Sequence, residues 1–384
     1  MFGLAAGQAF RSADGALERA AANSDQLVRI QAIQTNVVQA DADATNAFLV
    51  GGLEPAAQRA DYTAAIASAS QLIAEAAQHQ PADGPALGAL NEALVSYASE
   101  IEQARANNRQ ALPIGAQYLK DASANLRSDA LPLLKNLVDA NDERVAEEFD
   151  RAGQASGWLV GAGLLSMLVL VLGLLWLARR TRRYLNLPLA AAAVIVLVTL
   201  VVGAAVLVRV SNRVEEAQSG VYAATLSTAQ ARIAAFDAKS NESLTLIARG
   251  SGAAFEKAWQ ASDAVVTAEL GELGQNDASS GLDPLPWSDY TAVHQQIRTL
   301  DDSGDWEGAV ELATGTGSGT GNATFAGFDA SSAEQLAGLS DQTGQQLDEA
   351  GRWLPLGGAL GLLAGLLAAG CAWWGVSQRL EEYR

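Results

Sequence analysis

GWLVGAGLLSMLVLVLGLLWLA (157–178), RRTRRYLN (179–186) and LPLAAAAVIVLVTLVVGAAVLV (187–208) follow one another without a gap, and their reading decides the fold. Neither apolar stretch contains a charged residue. At 1.5 Å per helical residue, each is long enough to cross a hydrocarbon core of roughly 30 Å. A third such stretch, WLPLGGALGLLAGLLAAGCAWWGV, fills 353–376. The linker carries Arg179, Arg180, Arg182 and Arg183 and no acid, and the arginine excess of inward-facing membrane loops assigns that turn to the cytoplasm. Residues 11–156 and 209–352 are then expected outside the membrane, and the tail SQRLEEYR (377–384) inside.

Charge follows this division. The formal net charge is −18, and both large polar regions are acidic: 11–156 holds 11 basic and 20 acidic residues, 209–352 holds 8 and 21. Such surfaces repel a phosphate backbone, so no nucleic-acid partner is expected. The one cysteine, Cys371, lies within the third apolar stretch, so no disulfide can staple the polar regions.

The polar regions read as helices. In the first, Leu27, Ile30, Ile33, Val37, Ala40, Ala44, Ala47 and Phe48 recur at three- and four-residue steps along one amphipathic face, ending at Gly51-Gly52 with Pro55 beyond. A second helix is expected over 54–78. After the turn PADGPALG (81–88), a third over 86–110 places Leu87, Leu90, Leu94, Tyr97 and Ile101 on one face. A fourth starts after Pro113 and runs into the membrane, with Pro132 as a kink point. Short turns between four helices describe an up-down-up-down bundle.

Residues 209–352 follow the same plan. At a constant offset of 198, Gly250 meets Gly52, Thr45 meets Ser243, Leu49 meets Ile247, Arg59 meets Lys257 and Ala60 meets Ala258. Helices are expected over 253–273, from Trp287, and over 330–352, with GTGSGTGNATFAG (315–327) as a flexible linker. The expected fold class is therefore all-α: a membrane protein with two extracytoplasmic up-down-up-down four-helix bundles, in which helices one and four continue into transmembrane helices. The offset also makes MFGLAAGQAF (1–10) the last turns of a transmembrane helix whose start is missing, giving four spans with both termini in the cytoplasm.

This plan, the motif ATNAFLVGGLEP (44–55) and the stretch IEQARANNRQALPIGAQYL (101–119) together resemble a family of actinobacterial membrane proteins. Its members are encoded beside a glutamine-binding-type lipoprotein and protein kinase G. The likeness covers essentially the whole chain. It implies a signalling relay: an extracytoplasmic solute-binding lipoprotein senses aspartate or glutamate, this protein carries the signal across the bilayer, and a cytoplasmic serine/threonine kinase adjusts glutamate metabolism. The missing start departs from the family's four-span form, and no family residue transfers as a ligand-binding site.

Site chemistry is sparse. Asp41 and Asp43 resemble the start of a calcium loop but lie in a helical pattern without the turn glycine or the closing glutamate. They read as solvated or interhelical polar residues, with Asp41 a candidate registry device beside the apolar stripe. His79 and His294 have no ligand-spaced partner and read as surface residues. No metal, cofactor or catalytic residue is expected, and no enzymatic activity.

Packing signals are clearer. Gly357, Gly361, Gly365 and Ala369 form a small-residue face on the last span, and Gly153, Gly157 and Gly161 another where the fourth helix enters the bilayer. Packing within the chain is the expected use of these faces, with homodimerisation the alternative. Trp158, Trp176, Trp353, Trp373 and Trp374 sit near span ends as interfacial anchors. Arg179, Arg180, Arg182, Arg183 and Tyr184 are the candidate contact for a cytoplasmic partner or anionic lipid. The alternatives to a relay are a chemoreceptor-like sensor that binds a small ligand directly and a non-sensing structural or assembly factor of the envelope. A transporter would need ionisable residues in the spans, and there are none.

Overall fold

The computed structural model describes residues 1–50, 54–110, 112–181, 186–275 and 284–381. Among them every regular element is helical. α1 covers Phe2–Val50, α2 Ala56–His79, α3 Gly84–Arg109 and α4 Ile114–Asn125. A π turn, Leu126–Ala130, joins α4 to α5 (Leu131–Thr181); another, Gln218–Tyr222, joins α6 (Leu187–Ala217) to α7 (Ala223–Ile247). The rest is α8 (Ala253–Gln275), α9 (Trp287–Asp302), α10 (Trp306–Thr314), α11 (Gly321–Gly351) and α12 (Leu354–Glu381).

Proline explains two irregularities. Pro132 has no N–H for the Ser128 carbonyl, and the wider π turn just before it lets the helix continue. Between α11 and α12, Arg352 and Trp353 form a turn, where the helix was expected to run straight into the last span. Pro355 leaves the Gly351 carbonyl without its i+4 donor, so the ladder breaks there and restarts.

The glycine-rich segment is shorter than its composition suggested. Only 315–320 is non-helical, and α11 begins at Gly321. Phe325 and Phe328 are the cause: both are buried in an aromatic core with Phe236, Trp259, Trp287 and Tyr290, and this burial outweighs the low helix propensity of glycine, serine and threonine. The Gly51-Gly52 stop lies outside the described residues; α1 is helical to Val50.

Two compact units form. In one, Ser24–Asp142 and Gly220–Thr343 come together, so the middle of each polar region belongs to the same body. α1 is buried on two faces there. Ile30, Ile33, Val37, Ala40 and Ala44 pack in an aliphatic core with Leu87, Leu90, Leu94, Ile101, Leu119 and Leu134. Val38 and Ala42 pack instead with Ala231, Ala235 and Phe236 of α7. α7 is buried along most of its length despite many serine and threonine residues. Thr225, Thr228 and Thr245 satisfy their hydroxyls on the carbonyls of Val221, Ala224 and Asn241, which lets a small, polar surface be buried at little cost.

The other unit comprises Met1–Asn23, Glu143–Ser219 and Gly344–Arg384. Among the described residues, three helices are long and apolar enough to cross a membrane, lying within Ile114–Arg179, Leu187–Ile247 and Gly321–Gln378. Their apolar side chains point outward: Leu165, Val169, Trp176, Val198, Val202, Leu363 and Leu367 are all exposed. An apolar surface this continuous requires a lipid-like surrounding. Inside the unit, Gly357 faces Phe10, Gly361 faces Ala6, and Gly365 lies directly against Gly3. The α12 glycine face thus packs on the first turns of α1, whereas Ala369 is exposed. At the other end of α12, Asn186 caps α6 through Leu189 N (3.4 Å) and donates to the Gly375 carbonyl at 2.8 Å.

The second glycine face is placed differently. Gly153 has only the Ser211 hydroxyl nearby, and Gly157 and Gly161 face open space. The close approach between α5 and α6 uses Gly163, which abuts Leu200, and Gly203, which abuts Leu159. Gly365→Leu is therefore expected to lower stability in detergent by about 1–3 kcal/mol, measured by denaturant titration, while Gly157→Leu leaves the midpoint unchanged.

Candidate functional site

Asp41 sits on α1 at 1% exposure, which decides between the two readings of it in favour of an interhelical polar residue beside the core stripe. Oδ1 accepts hydrogen bonds from Tyr97 Oη (3.2 Å) and Ser123 Oγ (2.5 Å); Oδ2 accepts from Arg127 Nη1 (3.0 Å) and Ser240 Oγ (2.6 Å). Arg127, projecting from the π turn, reaches Asp237 of α7 as well, with Nε at 3.1 Å and Nη2 at 2.8 Å from Oδ1. Asp237 Oδ2 is in turn held by Asn241 (3.0 Å) and Ser262 (2.7 Å). One guanidinium therefore joins a carboxylate from each polar region. Burial alone would lower the Arg127 pKa, but the two facing carboxylates more than offset this and raise it. Burial, with Asp41 alongside, pushes the Tyr97 phenol up, so it remains a donor.

A second polar chain crosses α7, α8 and α9 with alternating sign. Lys239 Nζ lies 2.8 Å from Glu242 Oε1, Glu242 Oε2 lies 2.8 Å from His294 Nδ1, and His294 Nε2 lies 3.4 Å from Glu256 Oε2. Arg298 continues it to Glu256 (3.4 Å), Asp301 (2.5 Å) and Asp302 (2.6 Å). His294 is 1% exposed and stacks on Trp259 with centroids 3.5 Å apart, which corrects its reading as a surface residue. His79 is exposed. Burial would raise the Glu242 pKa, yet Lys239 and His294 outweigh it and hold the carboxyl at about 2. Burial likewise opposes the charge on His294, but Glu242 and Glu256 carry its pKa above the ordinary value.

Each polar region also has an arginine-centred corner where its second and third helices meet. On α3, Arg105 lies 2.8 Å from both Glu54 and Glu102, with its guanidinium 4.0 Å above the Tyr62 ring. On α9, Arg298 has the same relation to an acid one turn away, Asp301, and to Glu256 of α8. Both corners open into cavities. The first, about 190 Å³, has Ala47, Phe48, Ile101 and Leu119 in its lining with Glu54, Arg59, Arg105 and Arg109. The second, about 620 Å³, includes Arg249, Glu256, Lys257, Arg298, Asp301, Asp302 and Trp306. Arg249 has φ of 40° and lies 3.9 Å over the Trp306 ring.

Asp43 is separate from both chains. Burial first, then repulsion from Asp61 and Asp329, raises its pKa to about 8. Of the proposed cytoplasmic contact, Arg179 is exposed at the end of α5; Arg182, Arg183, Tyr184 and the side chain of Arg180 lie outside the described residues. Among the described residues, no three acids, histidines or cysteines gather where they could hold a metal ion.

Residues 16–150 match the family model of an actinobacterial sensor domain. Residues 124–237 match that of a putative actinobacterial holin, Holin-X of holin superfamily III. No curated protein and no solved structure matches the chain. The sensor match contains Asp41, Arg105 and Arg127; the holin match contains the α5–α6 apolar pair. The two fit an actinobacterial membrane sensor and suggest a sensing or signalling role.

Sequence reasoning singled out Asp41 but not Arg127, Asp237, Arg105, Glu242 or Arg298. A signal for some of them was present: Asp237, Lys239 and Glu242 interrupt the apolar face of a helix otherwise built for burial.

Arg127→Ala leaves Asp41 and Asp237 uncompensated. Because Arg127 and Asp237 are each about a quarter exposed, a loss of roughly 2–4 kcal/mol is expected, below that of a fully buried pair. Urea unfolding followed by tryptophan fluorescence measures it. For His294, a folded pKa above the ordinary 6.5 makes its stabilisation complete below that pH and lost as pH rises through the folded value. The His294→Gln variant should accordingly show a flatter decline in unfolding midpoint above pH 6.5 than the parent. Glu242 works in the opposite direction, its contribution fading only as pH falls from 4.5 toward 2.

Proposed function

We propose that this protein is a transmembrane signalling relay. In this reading its two polar helical regions lie outside the membrane as four-helix bundles of up-down-up-down connectivity and receive an extracytoplasmic amino-acid-binding lipoprotein that responds to aspartate or glutamate. The arginine turn and the tail face the cytoplasm and act on a serine/threonine kinase that controls glutamate metabolism. The observation that carries this reading is the sensor-domain match over 16–150, on a chain whose helix Ile114–Arg179 runs without interruption from polar to apolar sequence.

The mechanism follows from helix stiffness. An α-helix transmits an axial displacement of an ångström or two along its length with little loss. α4 and α5, joined through the π turn, include Arg127 and end at Thr181. A partner that alters the Asp41–Arg127–Asp237 seam therefore acts on the same helix that carries the first apolar span. Differential affinity for two arrangements of that seam is the energy source the relay requires.

The test uses the full chain in lipid nanodiscs and a purified solute-binding lipoprotein from the same organism. Capture that changes with added aspartate or glutamate is expected; equal capture, or none, with and without the amino acids removes the relay. On the inner side, replacing Arg179 and Arg180 with glutamine should weaken ligand-dependent kinase phosphorylation while reporter fusions show unchanged topology.

A further inference from the structure

The cavity at the Arg105 corner differs in charge from the region that holds it. Residues 11–156 carry 20 acids against 11 bases, yet this small space is lined by Arg59, Arg105 and Arg109 with Glu54 as the one acid. Glu102, just outside the lining, bonds Arg59 at 3.0 Å and Arg105 at 2.8 Å. Two carboxylates thus stand against three guanidinium groups. Arg105 is held on both Nη atoms and is almost fully buried. Arg59 shares Glu54 and Glu102 with it. Arg109 has no carboxylate partner among the described residues and lies exposed at the rim.

Apart from Asn108, the rest of the lining is apolar, with Phe48, Ile101 and Leu119 its largest side chains beside four alanines. At about 190 Å³ the space exceeds the roughly 150 Å³ cavity that takes up a benzene-sized molecule. A guanidinium presents a planar fork of N–H donors that matches a carboxylate, and an apolar floor favours a short hydrocarbon stem.

We infer that this corner binds a small organic anion of net charge −1, a carboxylate on a short aliphatic stem, with Arg109 as its charge partner. The inference rests on the sensing role proposed above and gives it a direct input. The corner on α9 supplies the contrast. There Arg249, Lys257 and Arg298 face Glu256, Asp301 and Asp302, so its charges balance and the same anion gains nothing by entering.

Saturation-transfer NMR on the full chain in nanodiscs, in about 0.15 M salt to screen distant charges, tests this with butyrate, 1-butanol and inorganic phosphate. Butyrate should receive saturation and 1-butanol should not. Phosphate, which has the charge but no stem, should fail to displace butyrate at equal concentration. Arg109→Ala should weaken butyrate at least tenfold, and Lys257→Ala should leave it unchanged. Both residues are exposed, so each variant is expected to fold, with the unfolding midpoint as the check. No saturation of butyrate, equal saturation of butanol, displacement by phosphate, unchanged binding in Arg109→Ala or loss in Lys257→Ala would each overturn the assignment. Butyrate binding without amino-acid-dependent lipoprotein capture removes the relay and keeps the site; the reverse result keeps the relay and removes the site.

Discussion

The Arg127 guanidinium, shared between Asp41 and Asp237, is the interaction on which the arrangement of the polar helices turns. Three elements meet there: α1, the π turn ahead of α5, and α7. Hydrogen bonds to a charged group are directional and costly to leave unmade in a buried setting. An apolar contact between α1 and α7 built from Val38, Ala42, Ala231 and Ala235 tolerates a slide of one residue. The seam does not, because a slide strands two carboxylates. Its contribution is thus to axial register more than to net stability, as buried ion pairs generally offset their own desolvation.

The two polar regions solve one packing problem with different materials. The first fills its interior with leucine, isoleucine and alanine around Tyr97. The second uses Phe236, Trp259, Trp287, Tyr290, Phe325 and Phe328, with edge-on ring contacts near 5 Å between Phe236 and Phe325 and between Trp287 and Phe328. Each nevertheless sets an arginine on its third helix against acids one turn away and across the groove. In the second region the line of charges continues inward through His294 and Glu242 to Lys239. A cationic site in the core is stable there only because each positive group alternates with a carboxylate.

The unit with the apolar helices is held by a different rule. Lipid tails are as apolar as leucine, so helices associate there through close backbone approach and polar caps. Gly3 against Gly365, Gly163 against Leu200 and Gly203 against Leu159 provide the first, and Asn186 on the Gly375 carbonyl the second. A sensing role in the membrane needs such contacts to be discrete, so that a displacement selects between packed arrangements and does not dissipate.

Sequence alone determined the apolar spans, the all-helical class and most helix limits. These depend on local quantities: side-chain hydropathy, a 3.6-residue period, and the backbone rules of proline and glycine. It also identified Asp41 as a polar residue beside a core stripe and the α12 glycines as a packing face. Tertiary structure decided what those signals met. The partner of Asp41 is 86 residues away on another helix, and nothing in the spacing of either residue encodes that pairing. Gly163 and Gly203, and not Gly157 and Gly161, make the close approach between α5 and α6, because four-residue spacing marks a face without saying which neighbour covers it. Composition likewise cast 315–327 as a linker, while the burial of Phe325 and Phe328 folded its second half into α11. Local chemistry writes the elements and their faces; only the folded chain determines which buried charge finds which partner, since that choice is made by the cost of leaving either one alone.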